Sequence, residues 1–80
     1  MSIFMNALKN AENNTIENTP KTEGLLKGII KYCESRYTDA HTHGLYNGCT
    51  ETVFRMEKGE YVHVVYGTDD VLETVYLITV

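Results

Sequence analysis

The sequence is poor in the residues that hold unusual small proteins together, with two cysteines, one proline and no tryptophan in 80 residues. Two cysteines are too few for the disulfide-dense scaffold of many small secreted domains. No apolar run approaches the roughly 20 residues that a membrane-spanning helix requires. What is left is an ordinary globular mixture, since 42% of the residues are hydrophobic and 22% are charged.

The length bounds the architecture. A chain of 80 residues corresponds to one domain, so we expect a single small α+β domain over residues 1–80. The first residues lack both the basic stretch and the continuous apolar stretch of a secretory signal. We therefore expect a cytoplasmic protein, and in that reducing compartment Cys33 and Cys49 are expected to be free thiols.

Positive charge is scarce near the C-terminal end. The formal net charge is -4, and residues 1–56 balance six acids against six bases, so the whole excess lies in residues 57–80. Because nucleic-acid binding depends on clustered Lys and Arg, we expect no direct contact with nucleic acid. We expect the acids to contact a larger, basic host protein or nucleoprotein, unless they serve solubility alone. These acids are Glu57, Glu60, Asp69, Asp70 and Glu73.

Helical periodicity is confined to the first half of the chain. Ser2 is a good N-cap, and the apolar spacing behind it predicts a short helix over about 3–12, within a helix-and-linker region 1–18. Thr19 followed by Pro20 is typical of a helix start, and the stripe that follows predicts the main helix over about 20–37, within region 19–38. Gly24 and Gly28 lie on one side of that helix, where they either allow a close approach or are merely tolerated.

The periodicity changes to two after the Asn47–Gly48 turn signal. Segments 50–56, 61–66 and 71–80 are rich in β-branched and aromatic residues and predict an antiparallel sheet over 50–80. The predicted fold is two N-terminal helices followed by a three-stranded antiparallel meander. A final helix over 69–77 is the competing interpretation, which the many β-branched residues disfavour.

The predicted register decides which face of the sheet is covered. A first hairpin closed at 58–59 pairs Met56 with Tyr61 and Phe54 with His63, and we expect this face beneath the helices. The opposite face is then too apolar for water, so either the first helix or another chain covers it. In the second case the protein is a homodimer or partner-bound through Val53, Val62, Val64, Tyr66, Val75 and Leu77.

Metal binding and catalysis have only weak candidates. Two Cys and two His, here Cys33, His41, His43 and Cys49, are a chemically suitable zinc donor set. The 15 residues between the cysteines do not match the paired spacing of structural zinc sites, so we expect no metal and no other cofactor. The alternative is a polar loop whose His side chains are solvated or cap a helix. His63 with a Cys nucleophile lacks an orienting group and an oxyanion site, so we do not expect an enzyme.

The chain is short and acidic, is rich in Asn and Tyr, and carries no catalytic motif. In this profile it resembles the small early proteins with which bacteriophages block host defence or host enzymes, anti-CRISPR proteins included. The resemblance implies a non-catalytic inhibitor in the host cytoplasm that covers a basic functional surface of a larger protein, and a minimal domain can offer an interface of about 800 Å². A small homodimeric structural or regulatory subunit and a zinc-binding protein remain alternatives.

Overall fold

The computed structural model describes residues 2–80, which form two helices packed on one face of a five-stranded antiparallel sheet. The helices are α1 (Ile3–Asn10) and α2 (Glu23–Arg36). The strands are β1 (Thr15–Glu17), β2 (Ala40–Gly44), β3 (Thr50–Arg55), β4 (Glu60–Tyr66) and β5 (Leu72–Thr79). They lie in the order β1-β5-β4-β3-β2. Over residues 2–80, neither helix is long and apolar enough to span a bilayer.

The prediction of a three-stranded meander was wrong. Strands β3, β4 and β5 form a meander within one residue of the predicted starts and ends, but β1 and β2 extend it on either side. The three residues of β1 are too short to show a periodicity and lie in the region read as a linker. Both faces of β2 are exposed, so its sequence lacks the apolar alternation that marks a half-buried strand.

Local hydrogen bonds set the helix ends. The Ser2 side chain accepts a hydrogen bond from the Phe4 amide at 3.1 Å, as expected for the cap of α1. Helix α2 begins three residues later than predicted, because Thr22 closes a separate turn in front of it. The Thr22 hydroxyl accepts a hydrogen bond from the Thr19 amide at 2.8 Å and donates one to the Glu17 carbonyl at 2.6 Å.

The hydrophobic core lies between the two helices and one face of the sheet. Leu8 of α1 and Leu26 and Ile29 of α2 are fully buried there. They belong to one cluster with the inward-facing residues of the sheet, which include Phe54, Val62, Val64, Val75 and Leu77.

The predicted register of the first hairpin is off by one residue. Arg55, not Met56, lies opposite Tyr61. The cause is a three-residue turn, Glu57–Gly59, in which Lys58 and Gly59 both have positive φ, 66° and 74°. Because side chains alternate between faces, a one-residue shift moves every side chain of one strand to the other face relative to its partner.

The shift reverses the predicted faces of β4 and β5, whereas β3 keeps its predicted face, with Phe54 and Met56 in the core. Four residues that were offered to another chain are therefore core residues beneath the helices, namely Val62, Val64, Val75 and Leu77. Tyr66 is half-buried against the same core. Val53 lies on the opposite face, where it pairs with His63. Helices of the same chain therefore cover the apolar face, which is the intramolecular alternative of the two that we considered.

Candidate functional site

The sheet face opposite the helices carries a buried carboxylate. The Glu51 side chain is only 8% exposed, and one residue from each of three other strands contacts it. The Tyr76 hydroxyl of β5 donates a hydrogen bond to Oε2 at 2.7 Å. Nε2 of His43, in β2, lies 3.1 Å from Oε1, and Nδ1 of His63, in β4, lies 3.2 Å from Oε2. A single carboxylate therefore links four adjacent strands.

The surroundings of Glu51 favour its charged form. Burial raises the pKa of this carboxyl group, but the Tyr76 hydrogen bond and the neighbouring His63 and His43 lower it further, so the net pKa lies below its ordinary value. Burial and the Glu51 carboxylate raise the pKa of Tyr76 to about 12. The His63 ring stacks on Tyr76 with centroids 4.5 Å apart, and its Nδ1 lacks the alignment of a directed hydrogen bond to Oε2. We interpret this cluster as a set of electrostatic interactions that links the four strands.

The four weak zinc candidates do not meet. Cys33 is fully buried in α2 under the covered face, and burial, with Glu34 nearby, raises the pKa of its thiol to about 11. His41 and His43 lie in strand β2 rather than in a polar loop, and Cys49 follows in the connection to β3. Over residues 2–80, no three His, Cys, Asp or Glu side chains are arranged to hold a metal ion.

The five acids predicted to bind a partner fall into two groups. Glu57 and Glu60 flank the β3–β4 turn, and Glu60 is paired with Lys9 at 3.3 Å. Asp69 and Asp70 lie in the β4–β5 turn, and Glu73 follows at the start of β5. Because β4 separates the two turns and a strand rises about 3.3 Å per residue, the groups are about 20 Å apart. They cannot form one continuous patch.

A groove lies beside the second acidic group, between α2 and the β4–β5 turn. Its volume is about 550 Å³. The floor is apolar and consists of Ile30, Tyr66, Val71 and Leu72. Val71 is 56% exposed, so part of this apolar surface is in contact with water. An incoming apolar side chain can therefore bury surface that the chain itself leaves in contact with water.

Charged side chains of α2 form one wall of the groove at helical spacing. Glu23, Lys27, Lys31 and Glu34 line this wall, and Asp70 lies on the opposite rim. Lys27 Nζ lies 3.4 Å from Oε2 of Glu23, so these two charges partly offset each other. Burial, with a contribution from Glu34, raises the pKa of the Tyr66 hydroxyl. The groove is thus lined by three carboxylates and two lysines, and Asp69 precedes Asp70 in the turn.

The connection before α2 closes the end of the groove. The Asn18 amide donates a hydrogen bond to the Glu73 carbonyl at 2.8 Å, and its side-chain Nδ2 donates one to the Leu72 carbonyl at 2.7 Å. These bonds tie the connection before α2 to β5 at one end of the groove. Sequence reasoning identified Asp70 but missed the α2 wall. The signal was present in the charged residues at four-residue spacing beside the apolar stripe of α2.

Compared with models of protein families, with curated proteins and with solved structures, the chain matches none of them. The fold itself defines a small two-layer α+β domain that bears an open groove with an acidic rim. The chemistry of this groove is thus the basis for the function proposed below.

Proposed function

We propose that the chain is a small non-catalytic binding protein that takes a basic segment of a larger protein into the groove along α2. The observation that carries the proposal is the apolar floor of the groove beneath an acidic rim. A partner segment with one apolar side chain between Lys or Arg residues matches both parts. Its apolar side chain fits over Ile30 and Val71, and its cations face Glu34 and Asp70.

The charge distribution supports this choice of partner. Of the predicted partner-binding acids, Asp70 lines the groove and Asp69 and Glu73 lie within three residues of it in the chain, whereas Glu60 is already engaged by Lys9. A basic protein surface is attracted over several ångströms before contact, because the Debye length at physiological ionic strength is about 8 Å. We therefore assign partner recognition to the acids of the β4–β5 end.

We propose that this binding inhibits the partner protein. A chain of this size acts by covering a surface rather than by remodelling it, and a basic surface on a larger cytoplasmic protein is commonly where nucleic acid binds. The chain would then compete with nucleic acid for that surface. Blocking a host enzyme or a host defence complex, as anti-CRISPR proteins do, is the particular role that the composition suggests.

A defined peptide tests the groove. The probe is a fluorescein-labelled peptide of alternating Lys and Leu, and its binding is measured by fluorescence anisotropy at several salt concentrations. We expect binding that weakens with salt and amide shifts in NMR spectra at Ile30, Tyr66 and Val71. A peptide with Ser in place of Lys should bind far more weakly, because it lacks the cations.

Matched variants separate the groove from general acidity. The double variant Glu34→Gln/Asp70→Asn should lower the affinity for the Lys/Leu peptide by about tenfold, because both rim charges are removed. Glu57→Gln removes an exposed acid at the far end of β4 and should leave the affinity unchanged. Equal losses in the two proteins, or amide shifts confined to other surfaces, would contradict the proposal.

A further inference from the structure

The two edges of the sheet differ in how well they are protected. The β1 edge is three residues long and begins directly after a tight turn, Glu12–Asn14. The β2 edge, Ala40–Gly44, is five residues long, and every residue in it is exposed. Natural edge strands are usually blocked by Lys, Pro or a bulge, and β2 has none of these. It is an open template for another strand.

The hydrogen bonds show which backbone groups of β2 are free. The Arg55 amide donates to the Asp39 carbonyl at 2.9 Å, and the Leu45 amide donates to the Cys49 carbonyl at 2.7 Å. In an antiparallel ladder the hydrogen-bonded residues alternate, so residues 39, 41, 43 and 45 bond to the β3 side. The amide and carbonyl groups of Ala40, Thr42 and Gly44 therefore point away from the sheet.

We propose that two copies of the chain pair through β2, antiparallel about a two-fold axis at Thr42, to form one continuous sheet. With this axis, Thr42 of one copy faces Thr42 of the other, and each Ala40 faces a Gly44. All three residues have outward backbone groups, so both N–H···O bonds of each pair are satisfied. A two-fold interface must be self-complementary, and this strand meets that condition.

The side chains of β2 suit a second copy. On the helix side of the sheet, pairing brings together only Ala, Thr and Gly, which add no bulk. On the other side, His41 of one copy lies opposite His43 of the other. Neither strand contains Lys, Arg, Asp or Glu, so no like charges with permanent sign face each other across the axis.

The charge around β2 also permits self-association, although the chain carries -4 in total. Asp39, at the start of the strand, lies 3.6 Å from Arg55 and 3.4 Å from His41. Glu57 lies beside Lys58 in the β3–β4 turn, and Glu60 is paired with Lys9. The remaining acids of residues 57–80 lie at the β4–β5 end, with β3 between them and β2. Two copies can therefore approach through β2 without bringing their acidic ends together.

The edge is held in its strand conformation before pairing. The Thr42 and Thr52 hydroxyls are 2.9 Å apart and hydrogen-bonded, and His43 contacts the buried Glu51 carboxylate. Little further ordering is needed when a second strand adds, which favours association. The interface is small, so we expect a dimer with a dissociation constant in the micromolar range. This inference is independent of the groove and of its proposed partner.

A disulfide at the axis gives the sharpest test. In a Cys49→Ser background, Thr42→Cys places two thiols on residues whose Cα atoms are about 5.5 Å apart in a hydrogen-bonded antiparallel pair. That distance lies within the roughly 4.4–6.8 Å that a disulfide spans. Mild oxidation should give a covalent dimer on a non-reducing gel. Thr68→Cys, exposed in the β4–β5 turn, is the matched control and should give no covalent dimer on the same gel.

Removal of one backbone donor tests the same axis without a cross-link. Thr42→Pro deletes an outward N–H while the odd-numbered residues keep the ladder to β3, and proline is tolerated at such edge positions. It should raise the dimer dissociation constant at least tenfold in sedimentation velocity runs. Thr42→Val loses the hydrogen bond to Thr52 but keeps the outward backbone N–H, so this variant should still dimerise. A wild-type chain that stays monomeric at millimolar concentration, or a dimer that Thr42→Cys does not cross-link, would overturn the proposal.

Discussion

The two faces of the sheet are formed by the same strands, but their buried residues are stabilised in different ways. Beneath the helices, β4 and β5 present Val62, Val64 and Val75, which are fully buried and entirely apolar. The opposite face holds a charged residue, Glu51, that is also buried, at 6% exposure. No helix covers it, and the neighbouring Tyr76 hydroxyl donates a hydrogen bond to it, and His43 and His63 lie beside its carboxylate oxygens.

This comparison teaches that burial alone does not define the core. A polar group inside a sheet face is stable when its partners are fixed, and here the partners come from three other strands. Hydrophobic packing holds one face through non-directional contacts, whereas the other face depends on geometry and protonation. The faces should therefore respond differently to substitution and to pH.

Adjacent valines on β4 give the largest contrast between the faces. Val64→Lys places an unpaired charge among the helices and should leave the chain unfolded, since the cost of several kcal/mol rivals the total stability of a small domain, roughly 5 kcal/mol. Val65→Lys, one residue along, points to the open face opposite Glu51 and should fold. Circular dichroism and thermal melting distinguish the two proteins. If both fold equally well, the assignment of the faces is wrong.

The helix layer can be loosened with a single methyl group. A Cβ at Gly28 would overlap the Phe4 ring of α1, so Gly28→Ala should destabilise the chain by about 1–3 kcal/mol. Gly24 has open space around it, and Gly24→Ala should stabilise by up to about 1 kcal/mol through helix propensity. Gly28 therefore allows a close approach between α2 and the Phe4 ring, whereas Gly24 has no such contact. Urea titrations that rank the variants in the reverse order would contradict this packing.

The smallest effect concerns the open face and depends on pH. Because the folded chain lowers the pKa of Glu51, this carboxylate contributes stability above its unfolded pKa, about 4.3, that is lost as the pH falls through the lower folded value. Glu51→Gln should cost about 1–2 kcal/mol at pH 7. It should also flatten the loss of stability below about pH 4.3.

Chemical denaturation at a series of pH values measures this dependence. Glu17→Gln is the control, since Glu17 lies on the same face in β1 but is exposed. Its acid limb should match that of the wild type. Parallel acid limbs for Glu51→Gln and the wild type would show that the Glu51 cluster does not stabilise the fold.

The positions of most elements could be predicted because their signals are local. Ser2 caps α1 as expected, and the start of α2 is displaced only because Thr22 bonds to the Glu17 and Thr19 backbone. The missed strands have no such signal. Strand β1 forms because Ile16 pairs with Val75, some sixty residues away. Strand β2 is polar because its two faces meet water, a pattern that resembles a loop.

The candidate sites could be predicted only in part. Asp70 belongs to the rim of the groove, yet nothing in the sequence around it places α2 on the opposite side to complete a groove. The Glu51 cluster was beyond reach, because its members come from four strands and meet only in the correct register. That register follows from the three-residue turn Glu57–Gly59, in which both Lys58 and Gly59 have positive φ.

The amino-acid sequence by itself determined the helical segments, the three long strands and the placement of the acidic excess after residue 56. Caps, propensities and charges act over a few residues and can be read along the chain. Only the tertiary structure decided which sheet face the helices cover, which acids share a surface and which edge stays open. These depend on strand parity and on contacts between distant segments, and parity changes completely with a single residue in a turn.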